Sequence, residues 1–97
     1  MTAALFRWVV PAGAEAAAAW LRLRAELGAV RWVACAGDDA EAWWSTSPLL
    51  VAEAVEACGH CPVRDACREY AFAAGERAGV WGGLTPAERI ELARGSR

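Results

Sequence analysis

Several features that define common protein classes are missing from this 97-residue sequence. No run of about 18 or more apolar residues occurs, which excludes a typical membrane-spanning helix. No positive charge precedes the apolar N-terminal stretch, and Arg7 and Pro11 interrupt that stretch, so we expect no export signal. The sequence therefore predicts a cytoplasmic protein without membrane association.

Lysine is also absent, and the ten arginines are outnumbered by twelve acidic residues. The net charge of −2 provides no global positive field that would attract nucleic acid. The sequence contains no Ser/His/Asp combination and no glycine-rich phosphate loop, which are the common signatures of catalysis. We therefore do not expect an enzyme.

The size and aromatic content of the chain indicate one small domain, residues 1–97. At this length a hydrophobic core alone gives little stability. Alanine supplies much of the 57% hydrophobic content, and six tryptophans supply the bulk that alanine lacks. A bound metal centre would add folding free energy that such a chain needs.

The four cysteines are the feature most directly linked to chemistry. Cys58, Cys61 and Cys67 form a C-x2-C-x5-C triplet, and Cys35 lies apart, upstream. An exported protein would pair them as two disulfides, whereas a cytosolic one would more often bind metal. Structural zinc commonly uses two compact Cys pairs, and here there is one. The spacing favours an iron–sulfur cluster and leaves zinc open.

Sequence periodicity and capping residues predict an all-α domain of four helices. The predicted helices cover residues 14–27, 48–57, 62–74 and 86–93. Gly28 and Gly75 are expected to end the first and third helices, and Thr85 with Glu88 forms a capping box before the last. Residues 30–35 are expected to form a loop or turn, because no second strand is present to pair with them. A glycine-rich turn precedes the last helix.

These motifs together resemble the WhiB-like family of actinobacterial iron–sulfur transcription regulators. Cys35 is followed by the C-x2-C-x5-C triplet and then by the Gly-Val-Trp-Gly-Gly turn at residues 79–83, over a region of roughly 32–92. The resemblance implies one [4Fe-4S] cluster per chain, held by Cys35, Cys58, Cys61 and Cys67. It divides the domain into an atypical extension with a helix (1–31), a cluster-binding core with the turn (32–83) and a short C-terminal helix (84–97).

The resemblance also implies a partner, the C-terminal domain (region 4) of the principal sigma factor of RNA polymerase. It further implies a response of the cluster to nitric oxide or another oxidant. Trp81 is expected to be partner-facing because its glycine neighbours give little cover, while Trp20 and Trp32 are expected in the core by default. Trp32 is also a candidate for partner binding. The full set of candidate partner-binding residues is Trp32, Trp43, Trp44, Gly79, Val80, Trp81, Gly82 and Gly83.

Direct binding to promoter DNA is expected to be weak. Many family members end in a basic tail, whereas here Arg89, Arg94 and Arg97 are opposed by Glu88 and Glu91. A net charge of about +1 neutralises few phosphates, so DNA contact should be salt-sensitive or occur through the polymerase complex.

Two other functions are compatible with the cysteine pattern. One is a zinc-stabilised protein-interaction module. The other is a cluster-free thiol–disulfide oxidoreductase that uses Cys58 and Cys61.

Overall fold

The computed structural model describes residues 13–36 and 40–95, and its regular structure is helical. The elements are α1 (Ala14–Ala29), a short 3-10 helix (Ala40–Trp44), α2 (Pro48–Cys58), α3 (Arg64–Ala74) and α4 (Pro86–Gly95). Within the described ranges there is no strand, only one isolated bridge between Trp81 and Leu84. The predicted all-α architecture is confirmed, with four α-helices in the described part of the chain.

Most helices begin or end near the capping residues that the sequence indicates. Gly75 adopts the left-handed conformation with φ of 66° at the end of α3, as predicted. Thr85 and Glu88 exchange backbone–side-chain hydrogen bonds of 3.0 and 3.2 Å at the start of α4, which confirms the capping box. Gly28 does not end α1, because the helix continues to Ala29 and stops where Val30 becomes extended. Residues 30–35 are irregular, as expected.

α1 and α3 pack together and form most of the larger core. Small side chains at the contact, among them the fully buried Ala66, allow the two helices to approach closely. Tyr70 lies between two tryptophans, with ring centroids 5.6 Å from Trp20 and 5.3 Å from Trp81. Aromatic rings thus fill the volume that the alanines leave.

A second, smaller core lies between the 3-10 helix and α2. It contains Ala42, Trp43, Ala54, Cys58 and Val80. Because Cys58 belongs to this core and Cys61 and Cys67 pack against the larger one, the cysteines lie where the two cores meet.

Two predictions about tryptophan burial are wrong. Trp81 is 7% exposed, because the glycine-rich turn folds its ring onto Tyr70 rather than into solvent. Trp32 is 52% exposed, although Val30 and Val33 of the same irregular segment pack against the larger core. Among the described helices, none combines the length and apolar character that crossing a bilayer requires.

Candidate metal centre

All four cysteines line one cavity of about 300 Å³. Cys58 is the last residue of α2, Cys61 lies in the turn that follows, and Cys67 lies in the first turn of α3. Cys35 reaches the cavity from the irregular segment after α1. All four thiols are free, so the disulfide alternative finds no support in the geometry.

The remainder of the cavity wall is almost entirely apolar. Helix α1 contributes Trp20, Leu23 and Leu27, so the N-terminal extension covers one side of the cysteine site. The other lining residues are Val33, Ala34, Ala40, Trp43, Trp44, Val63, Arg64, Val80, Trp81 and Gly82. Protein interiors contain few voids larger than a water molecule, so a cavity of this size in so small a domain indicates a binding site.

The geometry of the thiols distinguishes a cluster from a single ion. Tetrahedral zinc would hold its sulfur ligands about 3.8 Å apart, given Zn–S bonds of about 2.3 Å. In the part of the chain that the structure describes, no three Cys, His, Asp or Glu side chains converge closely enough to hold one metal ion. Four soft thiol ligands spread around a wide apolar cavity therefore fit a polynuclear iron–sulfur cluster better than zinc.

The environment of the thiols affects their protonation. Burial raises the pKa of the Cys67 thiol from 9.0 to about 12, an effect that a hydrogen bond from the Gly82 backbone partly offsets. Burial also raises the pKa of Cys35, with a contribution from the neighbouring Cys61. Metal ligation requires thiolates, so binding must release these protons, and apparent affinity should rise with pH.

The adjacent tryptophans of the 3-10 helix have different roles. Trp43 is buried, and its indole N–H donates a hydrogen bond of 3.2 Å to the Cys58 Sγ atom. Trp44 is 54% exposed and stands edge-on to Trp81, with ring centroids 6.1 Å apart. The pair therefore connects the cavity to the protein surface.

The glycine-rich turn contributes Val80, Trp81 and Gly82 to the cavity wall. All three of its glycines have positive φ, and at two of them an added Cβ would also overlap other atoms. Gly79 has φ of 82°, and a Cβ there would lie 2.5 Å from the Trp44 ring. Gly82 has φ of 60°, and a Cβ there would lie 2.7 Å from the Arg64 carbonyl and from the Arg68 Cβ. Arg68 also donates hydrogen bonds of 3.1 and 2.9 Å to the Gly82 carbonyl, which fixes the turn to α3.

Arg89 fixes the other side of the same turn, and its prediction as a DNA-contacting residue is wrong. It is 4% exposed, because its guanidinium is enclosed by backbone carbonyls. One terminal nitrogen donates to Gly79 and Leu84 at 2.9 and 2.8 Å, and the other to Glu76 at 3.1 Å. A guanidinium committed to these acceptors is not available to phosphate.

The other predicted binding residues divide by exposure. The side chains of Trp43, Val80 and Trp81 are buried in the free domain and line the cavity, so their contact with a partner stays a prediction. Trp32 and Trp44 are exposed and remain candidates. Arg94 is exposed on α4, whereas Arg97 lies outside the described residues.

Sequence reasoning missed one contributor to the site. Arg68 lies 14 positions before Gly82, whose carbonyl accepts its hydrogen bond, and no spacing rule identifies such a contact. The N-terminal helix was predicted as a packing helix that lies over the cluster site or extends the partner surface, and the structure places Trp20, Leu23 and Leu27 of this helix in the cavity wall.

Comparison with known proteins relates this site to a family. The family model described as "Transcription factor WhiB" matches residues 31–92. Transcriptional regulator WhiB2 of Mycolicibacterium smegmatis is 49% identical over 61 residues, covering 63% of this chain and 47% of that protein. Transcriptional regulator WhiB of Streptomyces coelicolor is 42% identical over 67 residues, which are 69% of this chain and 77% of that protein.

A third relative is the redox- and pH-responsive transcriptional regulator WhiB3 of Mycobacterium tuberculosis, 51% identical over 43 residues, which are 44% of this chain and 42% of that protein. The chain spans about half the length of the M. smegmatis relative. No solved structure matches. The family match begins after α1, so one wall of the cavity comes from outside the matched region.

Proposed function

The chain belongs to the WhiB family of transcription factors, and on this premise we propose that it is a cytoplasmic transcription regulator whose four cysteines hold one [4Fe-4S] cluster. We propose further that it binds region 4 of the principal sigma factor and that nitric oxide or another oxidant controls this binding. The observation that carries the proposal is an apolar cavity lined by four free thiols that, among the described residues, do not converge on one ion. The relatives are named transcriptional regulators, in agreement with the prediction that the chain is not an enzyme.

When bound, the cluster would supply a redox-active centre that oxidants and nitric oxide can attack. The residues around it would hold the thiolates and exclude water: Leu23 and Trp81 as apolar walls, and the Gly82 N–H as a donor to the Cys67 sulfur. Because the cavity is too large to stay packed when empty, loss of the cluster should loosen its walls.

Trp44 supports a link between the cavity and a partner. Its ring lines the cavity, packs over Gly79 and is also half exposed, so it belongs to both the site and the surface. An exposed aromatic of this kind is typical of interaction hot spots. Loosening of the cavity would therefore alter the surface offered to the sigma domain.

Promoter DNA would be reached through the polymerase complex or by weak contact. With Arg89 buried, Arg94 is the exposed arginine that the structure describes on α4, beside the acidic Glu88 and Glu91. A single exposed cation on α4 neutralises too little phosphate charge for this helix to bind DNA tightly on its own. The alternative of thiol–disulfide exchange is disfavoured because Cys58 is buried and poorly accessible to a substrate disulfide.

Co-purification with the sigma domain tests the proposal. The anaerobically prepared protein should retain region 4 of the sigma factor, and Cys58→Ala should not. Leu49→Ala is the control, because Leu49 is 78% exposed and does not line the cysteine cavity. This variant shows whether an alanine substitution outside the cavity affects retention. Equal retention by the wild type and by Cys58→Ala, each with its iron content measured, would refute the cluster dependence.

A further inference from the structure

We infer that Trp43 is a positioning residue for the cluster: its indole N–H fixes the Cys58 sulfur and raises the reduction potential of the bound centre. This inference rests on the proposed function, because it requires a cluster on the four cysteines. It goes further by assigning a task to one side chain that is not a ligand.

The hydrogen bond itself is short and enclosed. Trp43 Nε1 lies 3.2 Å from Cys58 Sγ, and both residues are at least nine-tenths buried. An indole nitrogen can only donate, and a buried donor needs an acceptor. The Cys58 sulfur is the acceptor that meets this requirement.

Trp43 is held in place by a backbone hydrogen bond and by packing in the smaller core. Its own backbone carbonyl accepts a hydrogen bond of 2.8 Å from the Val80 N–H, which joins the 3-10 helix to the glycine-rich turn. Its ring packs in the smaller core with Ala54 of α2 and with Ala42. The donor is therefore oriented before any cofactor binds, and little reorganisation is needed to maintain the bond.

The chemical consequence follows from charge. Reduction adds one electron to the centre and breaks no bond, so negative charge on the ligand sulfurs increases. A donor aimed at one sulfur stabilises the reduced state more than the oxidised state, and such hydrogen bonds raise cluster potentials. Trp43 should thus make reduction easier and withdraw electron density from the Cys58 sulfur.

The neighbouring Trp44 provides a matched control. It is the same residue type in the same helix and lines the same cavity, but it stands edge-on to Trp81 and is half exposed. Phenylalanine at either position keeps an aromatic ring and removes the indole N–H. Only Trp43→Phe should affect the Cys58 sulfur.

The main experiment is an anaerobic redox titration of the cluster-loaded wild type, Trp43→Phe and Trp44→Phe. We expect Trp43→Phe to lower the equilibrium constant for reduction of the cluster by about tenfold. For one electron this corresponds to a shift of the reduction potential by about 59 mV to a more negative value. Resonance Raman spectra in light and heavy water provide a readout that a purely structural role would not move. Exchange of N–H for N–D should shift the Fe–S stretching bands, and this shift should shrink in Trp43→Phe alone.

A measurement on the cluster-free protein covers the case in which Trp43→Phe does not load or fold. In the wild type labelled with 15N at the indole nitrogens, the Trp43 signal should move when Cys58 is changed to alanine. It should stay in place in Cys61→Ala, which removes a nearby cysteine that is not the acceptor of this hydrogen bond. No response to Cys58→Ala would overturn the hydrogen bond.

The outcomes separate this inference from the proposed function. A wild type that holds no iron under anaerobic preparation refutes both. A loaded wild type whose potential and deuterium shift equal those of Trp43→Phe refutes the role of Trp43 and leaves the proposed function standing. A shift of equal size in Trp44→Phe also refutes the specific role of Trp43.

Discussion

Replacement of Gly82 by alanine tests how closely the glycine-rich turn packs against α3. The φ of 60° at this position costs a residue with a side chain about 1–2 kcal/mol. The added Cβ would lie within 2.7 Å of two atoms of α3, the Arg64 carbonyl oxygen and the Arg68 Cβ. Relieving that overlap costs about 1–3 kcal/mol, by analogy with overpacked cores. We expect a total loss of about 2–5 kcal/mol in the free energy of unfolding.

Two further glycines separate the contributions to this loss. Gly75 has φ of 66° with nothing within 4 Å of an added Cβ, so Gly75→Ala should show the conformational cost alone, about 1–2 kcal/mol. Gly28 is helical and also has open space, so Gly28→Ala should stabilise by up to about 1 kcal/mol. The same chemical change is thus expected to give three different results.

Anaerobic urea denaturation of the cluster-loaded variants, followed by circular dichroism, measures the order of stability. The predicted order is Gly28→Ala above wild type, then Gly75→Ala, then Gly82→Ala. Because Gly82 also donates to the Cys67 sulfur, its variant should retain less iron. A Gly82→Ala protein as stable as Gly75→Ala would show that the turn can move away from α3, and would refute the close packing described above.

Three further predictions concern other parts of the site. Arg89→Leu should destabilise the chain by about 3 kcal/mol or more, because buried carbonyls lose their donor; Arg94→Ala should change stability by less than about 0.5 kcal/mol, and equal thermal shifts for the two would contradict the structural role. Leu23→Ala should cost about 2–5 kcal/mol and speed bleaching of the cluster in air, whereas the exposed Leu49→Ala should do neither. In the cluster-free protein burial raises the folded-state pKa of Cys67, so the stability that this thiol contributes is complete below pH 9.0 and is lost as the pH rises toward about 12. The urea midpoint of unfolding should therefore fall between these pH values. In Cys67→Ala the midpoint should depend less on pH.

Local features of this chain could be predicted from the sequence because the responsible residues are close together. The Thr85–Glu88 capping box and the left-handed Gly75 depend on contacts within one turn of helix. The C-x2-C-x5-C triplet was likewise visible as a spacing pattern, and its three cysteines line one cavity. In each case the chemistry of a few neighbouring residues determines the outcome.

Burial could not be predicted where it depends on distant contacts. Trp81 looked exposed between its glycines, yet the turn folds it onto Tyr70 of α3. Arg89 looked like a surface cation, yet it is enclosed by carbonyls from residues 76–84. The proposed preference for a cluster over zinc also rests on the cavity, because the spacing of cysteines along the sequence does not determine how they are arranged in space.

The central claim is that Cys35, Cys58, Cys61 and Cys67 hold one iron–sulfur cluster. Metal and sulfide analysis of the anaerobically purified chain tests it most directly. We predict about four iron and four sulfide per chain, with no stoichiometric zinc, and loss of both iron and sulfide in each single Cys→Ala variant. One zinc per chain without sulfide, or iron content unchanged by these substitutions, would contradict the claim.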